Sequence, residues 1–287
     1  MLPFCYSPLE ERPAVCASLL RPGGKSAMSG VGVSLDNVAF RYKAAPVFDG
    51  LSLEARPGEF LAIVGPNGCG KSTALKLIVG LNLAERGVVK VGGDDVRKLS
   101  RKALSRRVAL LTQANHAPPE MTVQDLIAMG RFVHQGFLSR RSAADDEQVA
   151  EAISQMQVGE LVGRRVGQLS GGQLQRCRMA MTLAQDSDVL LLDEPTTYLD
   201  LRHQYAMLER ARAQARAGKT VIAVLHDFTH ASLYADRVAV MRRGSLVRIG
   251  PPETVLTEEL VFNVFGVRTY AFQAHGAVMH IPQDARG

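Results

Sequence analysis

No apolar run in this 287-residue chain approaches the roughly 18 residues needed to cross a bilayer. The best, such as VLLL at 189–192, are strand-sized, which excludes a sequence-evident membrane helix. The first 27 residues lack a charged segment followed by an apolar core, so a secretory signal is not expected and the reading is a cytosolic protein. Only four cysteines occur (Cys5, Cys16, Cys69, Cys177), none in a CxxC or other metal-ligand spacing. That removes a cysteine-built metal site and leaves reduced thiols. Internal repeats and low-complexity segments are also missing. The net charge of +6 comes without any basic block, so a solvated surface explains it better than a nucleic-acid groove.

What is present is ordinary globular material, 46% hydrophobic and 22% charged, which rules out disorder for the bulk of the chain. Residues 1–27 hold four of the thirteen prolines and two of the cysteines without periodicity. They read as a disordered lead-in, or as an over-long start preceding Met28, and the segment to 29 is set apart from a domain over 30–285. Strands are expected at Val31–Phe40, Leu51–Ala55, Glu59–Val64, Val108–Thr112, 189–192 and 220–224. Helices are expected from Lys71, across 121–160 with charged faces, and at Leu201–Ala217. Short buried strands alternating with helices indicate an α/β fold with a mostly parallel sheet.

One stretch carries chemistry by itself. FLAIVGPNGCGKST places Gly65, Pro66, Asn67, Gly68, Cys69, Gly70, Lys71, Ser72 and Thr73 between a buried strand and a helix. Glycines let backbone N–H groups wrap phosphates, the lysine reaches the outer phosphates and the serine hydroxyl coordinates Mg²⁺. VLLLDEP supplies the complement: Asp193 at a strand end is suited to Mg²⁺, and Glu194 to polarising a water. Adjacent carboxylates there are costly without a cation. His226 follows another buried strand and, alone, reads more readily as a structural residue than a catalytic one; Gln113 follows a third and by itself carries almost no signal. Tyr42 could stack on a purine or simply face the sheet. RVGQLSGGQLQR adds a second anion-binding element, because Ser170, Gly171 and Gly172 open a helix.

In this order and spacing the residues resemble the ATP-binding subunits of ABC transporters, from about residue 31 to about 282. The resemblance rests on the P-loop, on LSGGQ at 169–173 and on the acidic pair some 20 residues beyond. It implies a P-loop NTPase (RecA-like) core, an N-terminal antiparallel β subdomain, and a helical subdomain at 114–168 that touches a permease. It further implies that Tyr42 stacks on adenine, that Gln113 links Mg²⁺ and water to the membrane partner, and that Glu194 is the general base. His226 becomes a γ-phosphate contact. Leu169, Ser170, Gly171, Gly172, Gln173 and Asp200 act across a homodimer on ATP held by the other copy.

The segments at 122–140, 184–204 and 233–267 and the late HIPQ resemble the subfamily of iron–siderophore, haem and vitamin B12 importers. Such a subunit sits on the cytoplasmic face of the cell membrane, with permease subunits and, indirectly, a periplasmic or lipoprotein substrate-binding protein as partners. Two departures stand out: Val133 replaces a usual proline, and Leu174 stands where arginine or glutamate is common. Both are expected on the partner-reading surface. The rival class, a non-transport ABC ATPase acting on nucleic acid or the ribosome, usually carries two cassettes or long coiled-coil insertions, and neither is present. A GTPase is disfavoured because there is no NKxD motif.

Overall fold

The computed structural model describes residues 30–43, 45–112, 117–136, 141–274 and 276–283. The lead-in and Gln113 therefore lie outside the described residues. β1 (Val33–Tyr42), β2 (Ala45–Ala55), β4 (Arg86–Val91) and β5 (Asp94–Asp95) form an antiparallel sheet in the order β2-β1-β4-β5. A second sheet runs β10-β9-β3-β8-β7-β6. Its members are β3 (Phe60–Val64), β6 (Val108–Leu111), β7 (Val189–Asp193), β8 (Thr220–Val224), β9 (Arg237–Arg242) and β10 (Ser245–Gly250). All neighbours in it pair in parallel except the edge strand β10.

Every residue of β3, β7 and β8 is buried, the signature of parallel strands covered on both faces. Within β3 the side chains alternate between two cores. Ala62 and Val64 join helices on one face, while Leu61 and Ile63 pack towards the antiparallel sheet on the other. The second core also takes in α1 (Lys71–Ile78), through Ala74, Leu75, Leu77 and Ile78, and Leu104 of α2 (Arg101–Arg107).

The expected helical stretch at 121–160 is not one helix. It contains α3 (Val123–Ala128), a 3₁₀ turn at Met129–Val133, α4 (Ala143–Gln155) and a further 3₁₀ turn at Gly159–Leu161. Gly130 is needed where the first of these turns crosses α5 (Gly171–Ala184): a Cβ there would stand 2.2 Å from the Met181 carbonyl oxygen. A buried ion pair, Arg131 Nε to Asp145 Oδ1 at 2.8 Å, ties the turn to α4, and Arg131 Nη1 also donates to the Ala184 carbonyl at the end of α5. Gln185 extends the same anchor to β6, donating to the carbonyls of Ser105 and Val108.

After β7 come α6 (Leu201–Arg216) and, after β8, α7 (Phe228–Tyr234). The chain closes with α8 (Pro252–Val255), α9 (Glu258–Phe265) and the hairpin of β11 (Thr269–Ala274) and β12 (Ala277–Pro282). Several expected boundaries shift. β1 starts two residues later and runs on to Tyr42, β2 begins at Ala45 rather than Leu51, β6 stops at Leu111, and α6 stops at Arg216. The early start of β2 follows from cross-strand pairing: Phe48 lies opposite Phe40 and is buried, so tertiary contact extends the strand beyond its alternating core.

Candidate functional site

The carboxyl ends of β3, β7 and β8 meet along one edge, with Asp193 in register with Val224. That edge is where ligands bind in open α/β sheets. β3 runs into the P-loop. Gly65 passes so close to β9 that a Cβ would lie 2.3 Å from the Met241 carbonyl oxygen. Gly70 is the N-cap of α1 in the left-handed region (φ +106°), and a Cβ there would collide with the Phe48 ring at 2.4 Å. A glycine cap supplies no acceptor, so the first-turn N–H groups of α1 are left for an anion.

Lys71 is buried, and its ammonium folds back onto the loop, donating to the carbonyls of Gly65 at 2.7 Å and Pro66 at 3.0 Å. Both acceptors are neutral carbonyls, so the ammonium keeps its charge for a phosphate. Ser72 Oγ donates to Asp193 Oδ1 at 2.8 Å, which joins the P-loop to the end of β7. Burial pushes the Asp193 carboxyl up from its usual range, opposed by the Ser72 hydrogen bond and reinforced by the neighbouring Glu194 charge. A divalent cation would reverse that shift.

Ser72 and Asp193 offer hard oxygen donors of the kind Mg²⁺ takes when phosphates and water complete its shell. Among the described residues there is no cluster of three or more acidic, histidine or cysteine side chains able to hold a metal without such help. Cys69, beside them, is a buried thiol whose pKa is raised chiefly by desolvation.

Glu194 takes φ +52°, rare for a non-glycine residue, and its Oε1 lies 2.6 Å from His226 Nε2. The structure thus brings together Gly65–Thr73, Asp193, Glu194 and His226. Tyr42 is not joined to them by the contacts it makes. It ends β1 with its ring edge-on to Phe40 at 4.8 Å, and its hydroxyl accepts from Asn82 beyond the far end of α1. Leu174, expected on the surface, is partly buried and packs on the core.

The LSGGQ stretch forms a separate group. Ser170 is the N-cap of α5, its hydroxyl accepting from the Gln173 N–H while the Gln173 side chain accepts from the Ser170 N–H. This reciprocal capping box explains the spacing of Ser and Gln. Gly172 is constrained by the next loop, since its Cβ would stand 3.1 Å from the Tyr198 carbonyl oxygen. Asp200 caps α6, accepting from the His203 N–H at 2.9 Å and facing its Nδ1 at 2.7 Å. The backbone hydrogen bond from His203 is the main cause that lowers the Asp200 pKa.

Ser170, Gly171, Gly172, Gln173 and Asp200 line one cavity of about 540 Å³. Gly65, Pro66, Asn67 and His226 line a different one of about 390 Å³. The sequence reading missed Tyr198, which the first cavity includes, and the apolar wall of Phe228 and Phe265 in the second. Tyr198 lies four residues beyond Glu194 in TTYLD, so its sequence position was the available signal.

A family profile described as ABC transporter matches residues 48–197. The ferric enterobactin transport ATP-binding protein FepC of Escherichia coli (strain K12) is 38% identical over 234 residues, covering 81% of this chain and 86% of FepC. The hemin import ATP-binding protein HmuV of Streptomyces coelicolor (strain ATCC BAA-471 / A3(2) / M145) is 41% identical over 239 residues, covering 83% and 85%. Among solved structures, the dimeric structure of MJ0796, a bacterial ABC transporter cassette, superposes with a TM-score of 0.69 at 26% identity, covering 77% of this chain and 98% of that one.

Proposed function

Because this chain belongs to the ABC transporter family, as an ATP-binding and ATP-hydrolysing subunit, we propose that it drives uptake of a ferric siderophore or a related iron, haem or cobalamin complex through a membrane permease. The similarity to ferric enterobactin and hemin import subunits carries the substrate class, and the placement of the P-loop and the signature at two separate places on one chain supports a nucleotide site shared between copies. A head-to-tail C2 dimer would join the P-loop of one copy to Ser170–Gly172 of the other, completing two sites at once. Among the described residues no helix is long and apolar enough to cross a membrane, so association with the cytoplasmic face would pass through permease subunits. A periplasmic or lipoprotein binding protein would deliver the cargo.

In the proposed mechanism, the free amides of α1 and the ammonium of Lys71 bind the phosphates, Lys71 leaving its two carbonyl partners to do so. Ser72 and Asp193 would hold Mg²⁺, with Gln113 as a further candidate; the ion supplies charge neutralisation on the outer phosphates. Glu194 accepts a proton from the attacking water, and His226, already on its carboxylate, orients it and contacts the γ-phosphate. From the partner, the Gly171 and Gly172 amides and the Ser170 hydroxyl close over the γ-phosphate, and Asp200 belongs to the crossing loop. Tyr42 would turn from Asn82 to stack on adenine.

Uptake measured with the cognate permease and binding protein should show ATP-dependent accumulation of at least one ferric chelate, haem or cobalamin. Accumulation of none of them, with another solute carried instead, would overturn the substrate class.

A further inference from the structure

The late HIPQ, residues 280–283, has no part in the chemistry assigned above, yet its hydrogen bonds are specific. Gln283 closes the end of the hairpin. Its N–H donates to the Arg268 carbonyl at 2.9 Å and its side-chain amide to the Thr269 carbonyl at 3.0 Å. His280 joins two further elements: Nε2 lies 3.1 Å from the Leu256 carbonyl oxygen, just past α8, and Nδ1 lies 2.9 Å from Thr269 Oγ1 at the start of β11. A carbonyl can only accept, so Nε2 carries the proton and Nδ1 accepts from the threonine hydroxyl. Burial favours this neutral form by lowering the His280 pKa, against the Leu256 hydrogen bond and the Glu258 charge. The ring is thus held at both nitrogens.

The held ring meets Phe228 at 5.4 Å, and Phe228 also meets Phe265 at 4.9 Å. Both contacts are edge-to-face, an arrangement that aromatic rings prefer. Phe228 opens α7, two residues after His226. With seven residues, α7 is too short to be held by its own hydrogen bonds, so its position comes from what it leans on. Those supports are the hairpin, whose Val278 N–H donates to Ser232 Oγ at 2.7 Å, and α6, whose Tyr205 meets His230 edge-to-face at 5.2 Å.

His226 stands on the step between β8 and α7. On one side the Leu225 N–H is fixed to the Ile63 carbonyl at 3.1 Å; on the other Asp227 caps α7, accepting from Thr229 and His230. The imidazole itself is 46% exposed and reaches the Glu194 carboxylate. A shift of α7 therefore carries His226 with it. His226, Phe228, Phe265 and His280 all line the cavity beside Pro66 of the P-loop.

We propose that His280 is a positioning residue for ATP hydrolysis: through the Phe228 ring it sets α7, and with it the place of His226 beside Glu194 and the γ-phosphate. The inference rests on the roles given above to Glu194 and His226. It makes the C-terminal hairpin a support of the catalytic groups without contact to the nucleotide.

A double-substitution cycle on the full-length protein tests this, read as single-turnover hydrolysis of ATP with Mg²⁺. His280→Ala should slow hydrolysis about tenfold or more, the scale of a displaced catalytic group, while ADP binds as in the wild type. Added to His226→Ala, the same substitution should change the residual rate by less than about twofold, because the group it positions is already gone. Phe228→Leu, which keeps an apolar side chain in place, should reproduce both results.

An unchanged rate in His280→Ala would overturn the proposal. So would an equal fold-loss with and without His226, since His280 would then act on the fold at large. If His280→Ala loses ADP binding and so does not fold, Phe228→Leu decides alone by the same two criteria. Hydrolysis at the wild-type rate in His226→Ala would instead strike the role given to His226.

Discussion

Glu194 combines a left-handed backbone with a carboxylate held 2.6 Å from His226 Nε2. A glutamine keeps its shape and its capacity to accept from an imidazole N–H, but it cannot take a proton from water. Glu194→Gln should therefore bind ATP with near wild-type affinity while steady-state hydrolysis falls at least about 100-fold, the usual worth of a positioned base. Phosphate release and equilibrium nucleotide binding measured side by side check this; turnover at the wild-type rate would remove Glu194 from the role. The identities of these residues were readable because each follows a run of buried β residues, so strand ends announced them. The φ of Glu194 was not readable, since it is imposed by the turn connecting β7 to the loop before α6. The hydrogen bond from Asn82 to the Tyr42 hydroxyl was not readable either, because it joins residues 40 positions apart.

At the scale of elements, the helical segment hangs on the Arg131–Asp145 pair, whose side chains are 9% and 10% exposed. The hydrogen bond from the Ser142 N–H is the largest influence on Asp145, followed by the Ser142 hydroxyl and Arg131, and together they lower its pKa to about 2. Because the folded value lies below the ordinary one of about 3.9, this carboxylate adds stability that is fully present above about pH 4. That contribution is lost as pH falls towards about 2. Asp145→Asn leaves a buried guanidinium without its counter-charge and should cost about 3 kcal/mol at pH 7, read by chemical denaturation. The gap between variant and wild type should narrow between about pH 4 and pH 2; a constant gap would show that charge is not the cause.

Four strands of the central sheet, β3, β6, β7 and β8, were legible because burial writes them as short apolar runs; β9, with an arginine at each end, and β10, with one inside, were not expected. In the antiparallel sheet β1 and β2 were legible in place but not in length, since β2 grows by pairing Phe48 with Phe40, and β4 and β5 were not expected. The break between α3 and α4 was hidden, because the turn at Met129–Val133 is set by the close approach of Gly130 to α5, a contact over 50 residues away.

At the scale of the whole molecule, the proposed shared site gives each copy a P-loop for its own nucleotide and a signature that serves only the partner's. Ser170→Arg tests the arrangement. Loss of the cap on α5 costs about 1 kcal/mol, too little to unfold the chain, and the P-loop is untouched. Nucleotide affinity should be preserved and turnover abolished; unchanged turnover would mean that Ser170 does not face the partner's phosphates.

The helix beginning at Ser170 also has a mechanical side. Its far end is clamped by Arg131, His134 and the Gln185 amide to the 3₁₀ turn and to the approach to β6. Its 14 residues make a rod about 21 Å long that bears the signature at the other end, where the buried Gln175 amide ties it to the Pro195 carbonyl. A tilt of about 5° at the clamp swings the Ser170 end by about 2 Å, the difference between a hydrogen bond and none. On the shared-site reading proposed above, leverage of this kind would let a slight push near Phe132 and Val133, at the surface expected to meet a membrane partner, engage or release a phosphate at the opposite end of the rod.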